Sequence, residues 1–324
     1  MELYIVVPCY NEQEILEDSV GKLNHKIEEL KSKHLIDTAR ILLVDDGSHD
    51  QTWTIIAHLA DAMPTVCGIK LAHNVGHQRA LWAGLAWASD RCDAAISIDA
   101  DLQDDIEVFE EMAKHFRNGC DIVFGVRRER ATDTWFKRNT ALAFYKLMSS
   151  LGSEIVYNHA DYRLMSSRAL KSLMCYPERN IFLRGIISNM GYPCAKVYYD
   201  RKERLAGESK YPLRKMISFA LEGVTSFSIV PLRLISYLGL IFLVISFIVI
   251  ISAIVTFIEG KNIPGWTSLQ ISLWFIGGCI LIGCGITGEY IGKIYMETKQ
   301  RPRYFIENTA GVDYVSDEND VHSI

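Results

Sequence analysis

A chain of 324 residues is long enough for one large or two modest domains. Its formal net charge of −5 at pH 7 argues against a general nucleic-acid binder, which would normally be basic. The eight cysteines (9, 67, 92, 120, 175, 194, 279 and 284) form no CxxC pair and no Cys/His cluster with zinc spacing, so they read as small hydrophobes of a reducing compartment.

The first 130 residues alternate strand and helix signals. LYIVVP (3–8) is a short apolar run, followed by a helix with Val20, Leu23, Ile27 and Leu30 on one face. RILLVDDGS (40–48) predicts a second strand that ends in acids and glycine; a helix at 52–62 and a strand at 65–71 follow. Then come a helix at 79–89, a strand within DAAISIDAD (93–101), a helix at 105–118 and a strand in DIVFGVR (121–127). That alternation is the pattern of an α/β fold with a largely parallel sheet. Polar residues collect at the strand ends, the edge where open α/β sheets bind ligands. No GxGxxG follows the first strand, so a dinucleotide-binding fold would lack its phosphate loop.

Beyond 130 the pattern loosens: an aromatic and basic helix at about 133–151, DYRLMSSRAL (161–170), a helical stretch near 181–190 and a strand in AKVYYD (195–200). From 196 to 215, seven Lys/Arg face three Asp/Glu, a basic segment in an acidic chain. Residues 211–233 mix apolar and basic positions, as a segment lying on a membrane surface does. Two uncharged runs predict membrane helices at 234–258 and 268–288, joined by an external loop at 259–267, with a tail at 289–324. Arg214, Lys215 and Arg233 precede the pair, and Lys293, Lys299, Arg301 and Arg303 follow it. The positive-inside rule then places both termini and the α/β domain of residues 1–210 in the cytoplasm of a plasma-membrane protein. The N-terminus shows no signal-peptide pattern.

The densest chemistry lies in SIDADLQDDIE (97–107). Asp99 and Asp101, one residue apart at a strand end, can turn inward together, and hard oxygen donors suit Mg²⁺ or Mn²⁺ holding a diphosphate. Asp104, Asp105 and Glu107 read as the first turn of the next helix, where negative charge suits the dipole. Two further strand ends, Pro8-Cys9-Tyr10-Asn11-Glu12 and Val44-Asp45-Asp46-Gly47-Ser48, would share that edge and complete a nucleotide-sized cleft.

PCYNE, VDDGSHDQT (44–52), NVGHQRALWAGL (74–85) and DADLQDD (99–105) together resemble family 2 glycosyltransferases of the GT-A fold. DYRLMS (161–166), FLRG (182–185), RLAGESKYPLRK (204–215), PLRL (231–234) and GEYIGKIYMETKQRPRY (288–304) are similar to the polyisoprenyl-phosphate members, of the bactoprenol glucosyltransferase type. The resemblance implies a GT-A domain followed by juxtamembrane helices and a two-helix transmembrane hairpin. It implies transfer of a sugar with inversion, glucose from a UDP carrier being the leading expectation, to undecaprenyl or another polyprenyl phosphate. N-acetylhexosamines, mannose from GDP or a modified arabinose stay open as the sugar, and a homo-oligomer is expected.

Residue by residue, the resemblance gives Asp99, Asp101 and Gln103 to the metal and donor diphosphate, and Pro8, Tyr10, Glu12, Asp45 and Asp46 to the nucleotide. Arg127, Arg204 and Lys210 match phosphate-binding positions, with Lys137 or Arg138 as a further cation. Asp161 falls where the family places its proposed base. It can equally orient the acceptor, pair with Arg163 or bond the sugar, because a phosphate monoester with a second pKa of roughly 6 is mostly dianionic at neutral pH. A nucleotidyltransferase would want a glycine-rich basic loop after the first strand, and a processive synthase would show QxxRW and more spans. A non-catalytic membrane scaffold would have no reason to keep Asp99, Asp101, Gln103, Arg127 and Arg204 together.

Overall fold

The computed structural model describes residues 1–128, 159–179, 181–200 and 265–311, with single positions between 232 and 251. The chain divides into two compact units. One comprises Met1–Lys146, Glu154–Lys210 and Arg301–Ile324; the other comprises Leu147–Ser153 and Tyr211–Gln300.

The first unit is built on an eight-stranded sheet of order β7-β5-β6-β4-β1-β2-β3-β8. Its first half alternates as the sequence predicts: β1 (Glu2–Cys9), α1 (Leu16–Ser32), β2 (Thr38–Asp45), α2 (Thr52–Ala62), β3 (Val66–Leu71), α3 (His77–Ala88) and β4 (Ala94–Ser97). Strand β1 shows why these runs are apolar throughout. Leu3, Ile5, Val7 and Cys9 enter one core with α1, while Tyr4 and Val6 enter a second core with α3. A strand covered on both faces has no polar side to show.

Past β4 the structure departs from simple alternation. The helix expected at 105–118 splits into a 3-10 turn, Ile106–Val108, and α4 (Phe109–Arg117), because the Asp105 side chain accepts from the Glu107 N–H and sets a tight first turn. After β5 (Ile122–Arg127), strand β6 (His159–Ser166) inserts antiparallel between β4 and β5. It is followed by α5 (Ser167–Met174), α6 (Leu183–Ser188) and β7 (Cys194–Tyr199), which runs parallel to β5. Four pairings are parallel (β1/β2, β1/β4, β2/β3, β5/β7) and three are antiparallel.

The last part of the chain, predicted only as a tail, contributes an eighth strand, β8 (Ile306–Ala310), antiparallel to β3. The approach to β8 is anchored by Arg303. Its guanidinium stacks 4.2 Å over the Trp82 ring and donates to the carbonyls of Tyr176 at 2.6 Å and Glu178 at 3.0 Å. A polar edge strand of sequence IENTA pairs through its backbone, so no apolar pattern announces it.

In the second unit, α7 (Trp266–Lys299) is one helix of 34 residues, about 51 Å long at 1.5 Å per residue. It runs eleven residues past the predicted end at 288, taking in Glu289 and Lys293 without a break. Within it, Phe275–Lys299 is long and apolar enough to cross a membrane, with mean hydropathy 1.5. It is the one such candidate among the described residues. Each described position between 232 and 251 is helical, but most of the predicted 234–258 span lies outside the described residues. So do the expected helix at 133–151 and the basic segment 201–215.

Helix α3 lies directly on the sheet. A Cβ at Gly84 would fall 2.4 Å from Val6 Cγ1 and 2.8 Å from Val44 Cγ2, both on branched core side chains with nowhere to go. Alanine in a helix interior usually gains about 1 kcal/mol over glycine. Here overpacking of about 1–3 kcal/mol opposes that gain. Gly84→Ala is therefore expected to lower the melting temperature of the detergent-solubilised protein; a rise would show that the β1–α3 contact yields.

Candidate active site

The cleft is made where β1, β2 and β4 end, and its walls are loops tied to one another. Asn11, in the left-handed region at φ 55°, accepts from His49 N–H at 2.9 Å, while its own N–H donates to Ser48 Oγ at 3.0 Å. Glu12 N–H donates to Thr52 Oγ1 at 2.9 Å. These bonds lock the turn after β1 against the turn after β2 and leave Tyr10 42% exposed beside them. Pro8 pairs with Val44 within the sheet, so it frames the cleft from the strand itself.

Asp45 and Asp46 are both buried, and each carboxyl is pushed above the usual range mainly by that burial. Their surroundings differ. Asp45 Oδ1 accepts from Ser48 N–H at 3.2 Å, whereas Oδ2 has no hydrogen-bond partner among the described residues. Asp46 accepts from two successive amides, Val75 at 2.8 Å and Gly76 at 3.0 Å, and so pins the chain that starts α3. Gly47 is required between them and the loop. At φ 66° its Cβ would strike the Asn74 nitrogen at 2.6 Å.

Beyond β4 the chain turns sharply. Leu102 sits at φ 44°, its N–H donating to the Asp99 carbonyl at 3.1 Å. Gln103 Nε2 donates to Asp101 Oδ2 at 2.6 Å, so Asp101 and Gln103 form a local pair. Asp99 keeps 43% of its side chain exposed. Partial desolvation, then the like charges of Asp104, Asp161 and Asp101, raise its carboxyl above the usual range against the opposing pull of His77. Among the described residues, no three His, Cys, Asp or Glu side chains converge closely enough to cage a metal by themselves.

Asp104 corrects the sequence reading. It is not a solvated residue of a helix start but is buried, accepting from Tyr199 Oη at 2.8 Å and from Arg127 Nη2 at 3.1 Å. Burial alone would weaken the Arg127 charge; Asp104 and Tyr199 outweigh it and raise the guanidinium pKa. Arg127 therefore ties the acidic turn to the end of β5.

Asp161 stands at the centre of a second cluster. It accepts from Arg163 Nη2, from Arg184 Nε at 3.2 Å and Nη2 at 3.0 Å, and from Gln78 Nε2 at 3.2 Å. Burial would raise its carboxyl, but Arg184 and Arg163 overwhelm that and hold it well below the usual carboxylate range. Arg163 is 1% exposed, and its Nε and Nη1 atoms have no hydrogen-bond partner among the described residues. His77 Nε2 lies 3.7 Å from both Asp99 Oδ1 and Asp161 Oδ2.

The structure thus brings Asp99, Asp161 and the Asp45–Asp46 pair to one sheet edge, linked through residues 75–78. Lys137, Arg138, Arg204 and Lys210 lie outside the described residues. Sequence reasoning gave no role to His77, Gln78, Arg184 or Tyr199. His77, Gln78 and Arg184 stand inside NVGHQ and FLRG, so the motifs marked the place without naming the side chains.

A glycosyl transferase family 2 model matches residues 4–174. The chain is 52% identical over 306 residues to the uncharacterized glycosyltransferase YkoT of Bacillus subtilis (strain 168), covering 94% of this chain and 91% of that one. It is 42% identical over 310 residues to the bactoprenol glucosyl transferase of Shigella phage SfV, covering 95% and 99%. The prophage bactoprenol glucosyl transferase homolog of Escherichia coli (strain K12) is 41% identical over 309 residues, covering 95% and 99%. Among solved structures, glucosyl-3-phosphoglycerate synthase from Mycobacterium tuberculosis, in complex with Mn²⁺, UDP and phosphoglyceric acid, aligns with a TM-score of 0.47 at 19% identity. That alignment covers 69% of this chain and 76% of the other, a likeness too distant to carry a ligand across. With the family model spanning more than half of the chain and relatives matched over nearly all of it, this enzyme belongs to glycosyl transferase family 2.

Proposed function

We propose that the enzyme transfers glucose from UDP-glucose to undecaprenyl or a similar polyprenyl phosphate at the cytoplasmic face of the plasma membrane. The relatives named bactoprenol glucosyl transferase support the sugar and the lipid, and the long apolar helix supports the membrane. The observation that carries the chemistry is the arrangement around Asp99 and Asp161. An acidic pair at the end of β4 stands across from a carboxylate saturated by two arginines, with His77 between them. The charge flanking the apolar runs supports a cytoplasmic location for both termini. A homo-oligomer follows from family resemblance.

Tyr10 offers an aromatic face to a base, and the open Oδ2 of buried Asp45 an acceptor to a base N–H. Asp99 and Asp101 are hard oxygen donors one residue apart, too few to hold a metal unaided. They fit Mg²⁺ or Mn²⁺, ions that take one or two carboxylates and complete their shell from substrate phosphates. Bound there, the cation would neutralise charge developing on the leaving nucleoside diphosphate. Gln103, bonded to Asp101, orients that carboxylate. Arg127, anchored by Asp104 and Tyr199, holds the acidic turn in place. Binding of the acceptor phosphate falls to Arg127, Arg204, Lys210 and Lys137 or Arg138.

Asp161 is better suited to positioning than to taking a proton. Its lone pairs are committed to Arg163, Arg184 and Gln78, and its acidity is too great for a base near neutrality. A dianionic lipid phosphate needs no base. The reaction then rests on holding two anions and a sugar in line.

Incubation of the purified protein with labelled UDP-glucose, Mg²⁺ and polyprenyl phosphate should move label into the organic phase, and EDTA should stop it. Label that stays in water with every donor tested would sink the reading. Asp99→Ala should cut transfer at least about a hundredfold, the scale of losing one transition-state charge contact, with membrane insertion unchanged.

The folded-state pKa of Asp161 lies below its unfolded value. Its stabilisation is therefore present above about pH 3.9 and is lost only as pH falls through the lower folded value. Asp161→Asn should accordingly depress turnover by a similar factor at about pH 6, 7.5 and 9, a window in which Asp161 does not titrate. A variant that instead abolishes an acid limb of the pH profile would restore the base.

A further inference from the structure

His77 opens α3 with its side chain 44% exposed, yet the chain around it is fixed. The two amides before it are held by Asp46, at 2.8 and 3.0 Å. The next residue, Gln78, donates to Asp161 at 3.2 Å and accepts from Leu183 N–H at 3.2 Å. One turn on, Ala80 and Leu81 are buried in the core. A half-exposed side chain on so constrained a backbone is held out into the cleft, not left there by slack.

The antiparallel register of β4 and β6 explains what it is held between. The ladder ends where Ser97 pairs with Arg163, two residues short of Asp99 on one chain segment and of Asp161 on the other. His77 Nε2 is 3.7 Å from an oxygen of each. That distance is near enough to feel both charges and too long for an N–H···O hydrogen bond, so the imidazole is not consumed by either partner.

On the functional reading above, on which this inference rests, Asp99 belongs to the donor diphosphate, and the positioning role of Asp161 is taken to be that of orienting the acceptor. The transferred sugar must lie between the attacking and the leaving oxygens. His77 occupies the position between those two aspartates. We infer that His77 hydrogen-bonds a hydroxyl of the transferred sugar and is a specificity-determining residue for the donor. An imidazole offers one ring nitrogen to donate and one to accept, the complement of a hydroxyl. The competing role is that of a spacer keeping two carboxylates apart, and it makes a different forecast. A spacer supports the whole cleft, whereas a hydroxyl contact is felt only when the sugar is present.

Calorimetric titration of the full-length protein in detergent with Mg²⁺, using UDP and UDP-glucose in turn, separates the two. His77→Ala should weaken UDP-glucose about tenfold, the scale of one hydrogen bond, and leave UDP within about twofold. His77→Gln, which keeps a donor and an acceptor, should recover part of the loss; its melting temperature serves as the check on folding. Equal weakening of UDP and UDP-glucose, or no change in either, would overturn the assignment and leave the transferase reading standing. Wild-type protein that binds neither nucleotide would sink both.

Discussion

The cleft depends on how the charge of Asp161 is answered. The antiparallel pairing of β4 and β6 ends two residues short of Asp99 and of Asp161, which are near enough for their like charges to oppose each other. Arg163, 1% exposed, would itself be intolerable without a partner, because removing one member of a buried ion pair typically costs about 3–5 kcal/mol. Each solves the other's difficulty. Arg184 adds a second guanidinium from α6 and Gln78 a neutral donor from α3, so three elements are drawn to one carboxylate. The acidity that results is a consequence of this construction, and it is what makes a proton-accepting role a poor fit.

A second pairing does the same work beneath the acidic turn. Asp104 is buried under the turn that carries Asp99 and Asp101, and it is neutralised by Arg127 and bonded by Tyr199. Arg127 lies at the end of β5 and Tyr199 at the end of β7. The acidic turn is therefore braced from strands on the far side of β6, while Asp46 braces the opposite wall through the amides of Val75 and Gly76. The buried acids are answered differently: Asp104 and Asp161 by arginines, Asp46 by two backbone amides, and Asp45 by the Ser48 amide on one oxygen alone.

The strands and helices of the first hundred residues could be read from pattern, because runs buried on both faces are apolar from end to end. What could not be read were features set by distant partners. Asp104 looks like any acid before a helix until Arg127, 23 residues on, and Tyr199, 95 residues on, fold over it. The direction of β6 leaves no mark in its own sequence. Strand β8 is polar and short, held by backbone bonds to β3 and by Arg303 beneath it. The acids at the strand ends were legible as candidates because so many like charges at the end of a buried strand call for an explanation. His77 and Gln78 gave no such signal: a histidine and a glutamine at a helix start are unremarkable until the carboxylates they face are known.

The backbone of the acidic turn is itself strained. Leu102 holds φ 44°, a conformation that a bulky residue adopts at a cost of order 1–3 kcal/mol. It stands between Asp101 and Gln103, whose side chains bond across it, and its own N–H is taken by the Asp99 carbonyl. Relaxing Leu102 would carry Gln103 away from Asp101, since the turn at Leu102 is what lets the two side chains bond. Asn11, at φ 55° on the neighbouring loop, reaches the same region at less cost, because its side chain takes the His49 amide. Among the described residues His34 and Gln300 share this region of backbone space, but Leu102 is the one that lies within the acidic turn, and the two cores behind it, closed by β1 and its neighbours, supply the stability that lets it persist.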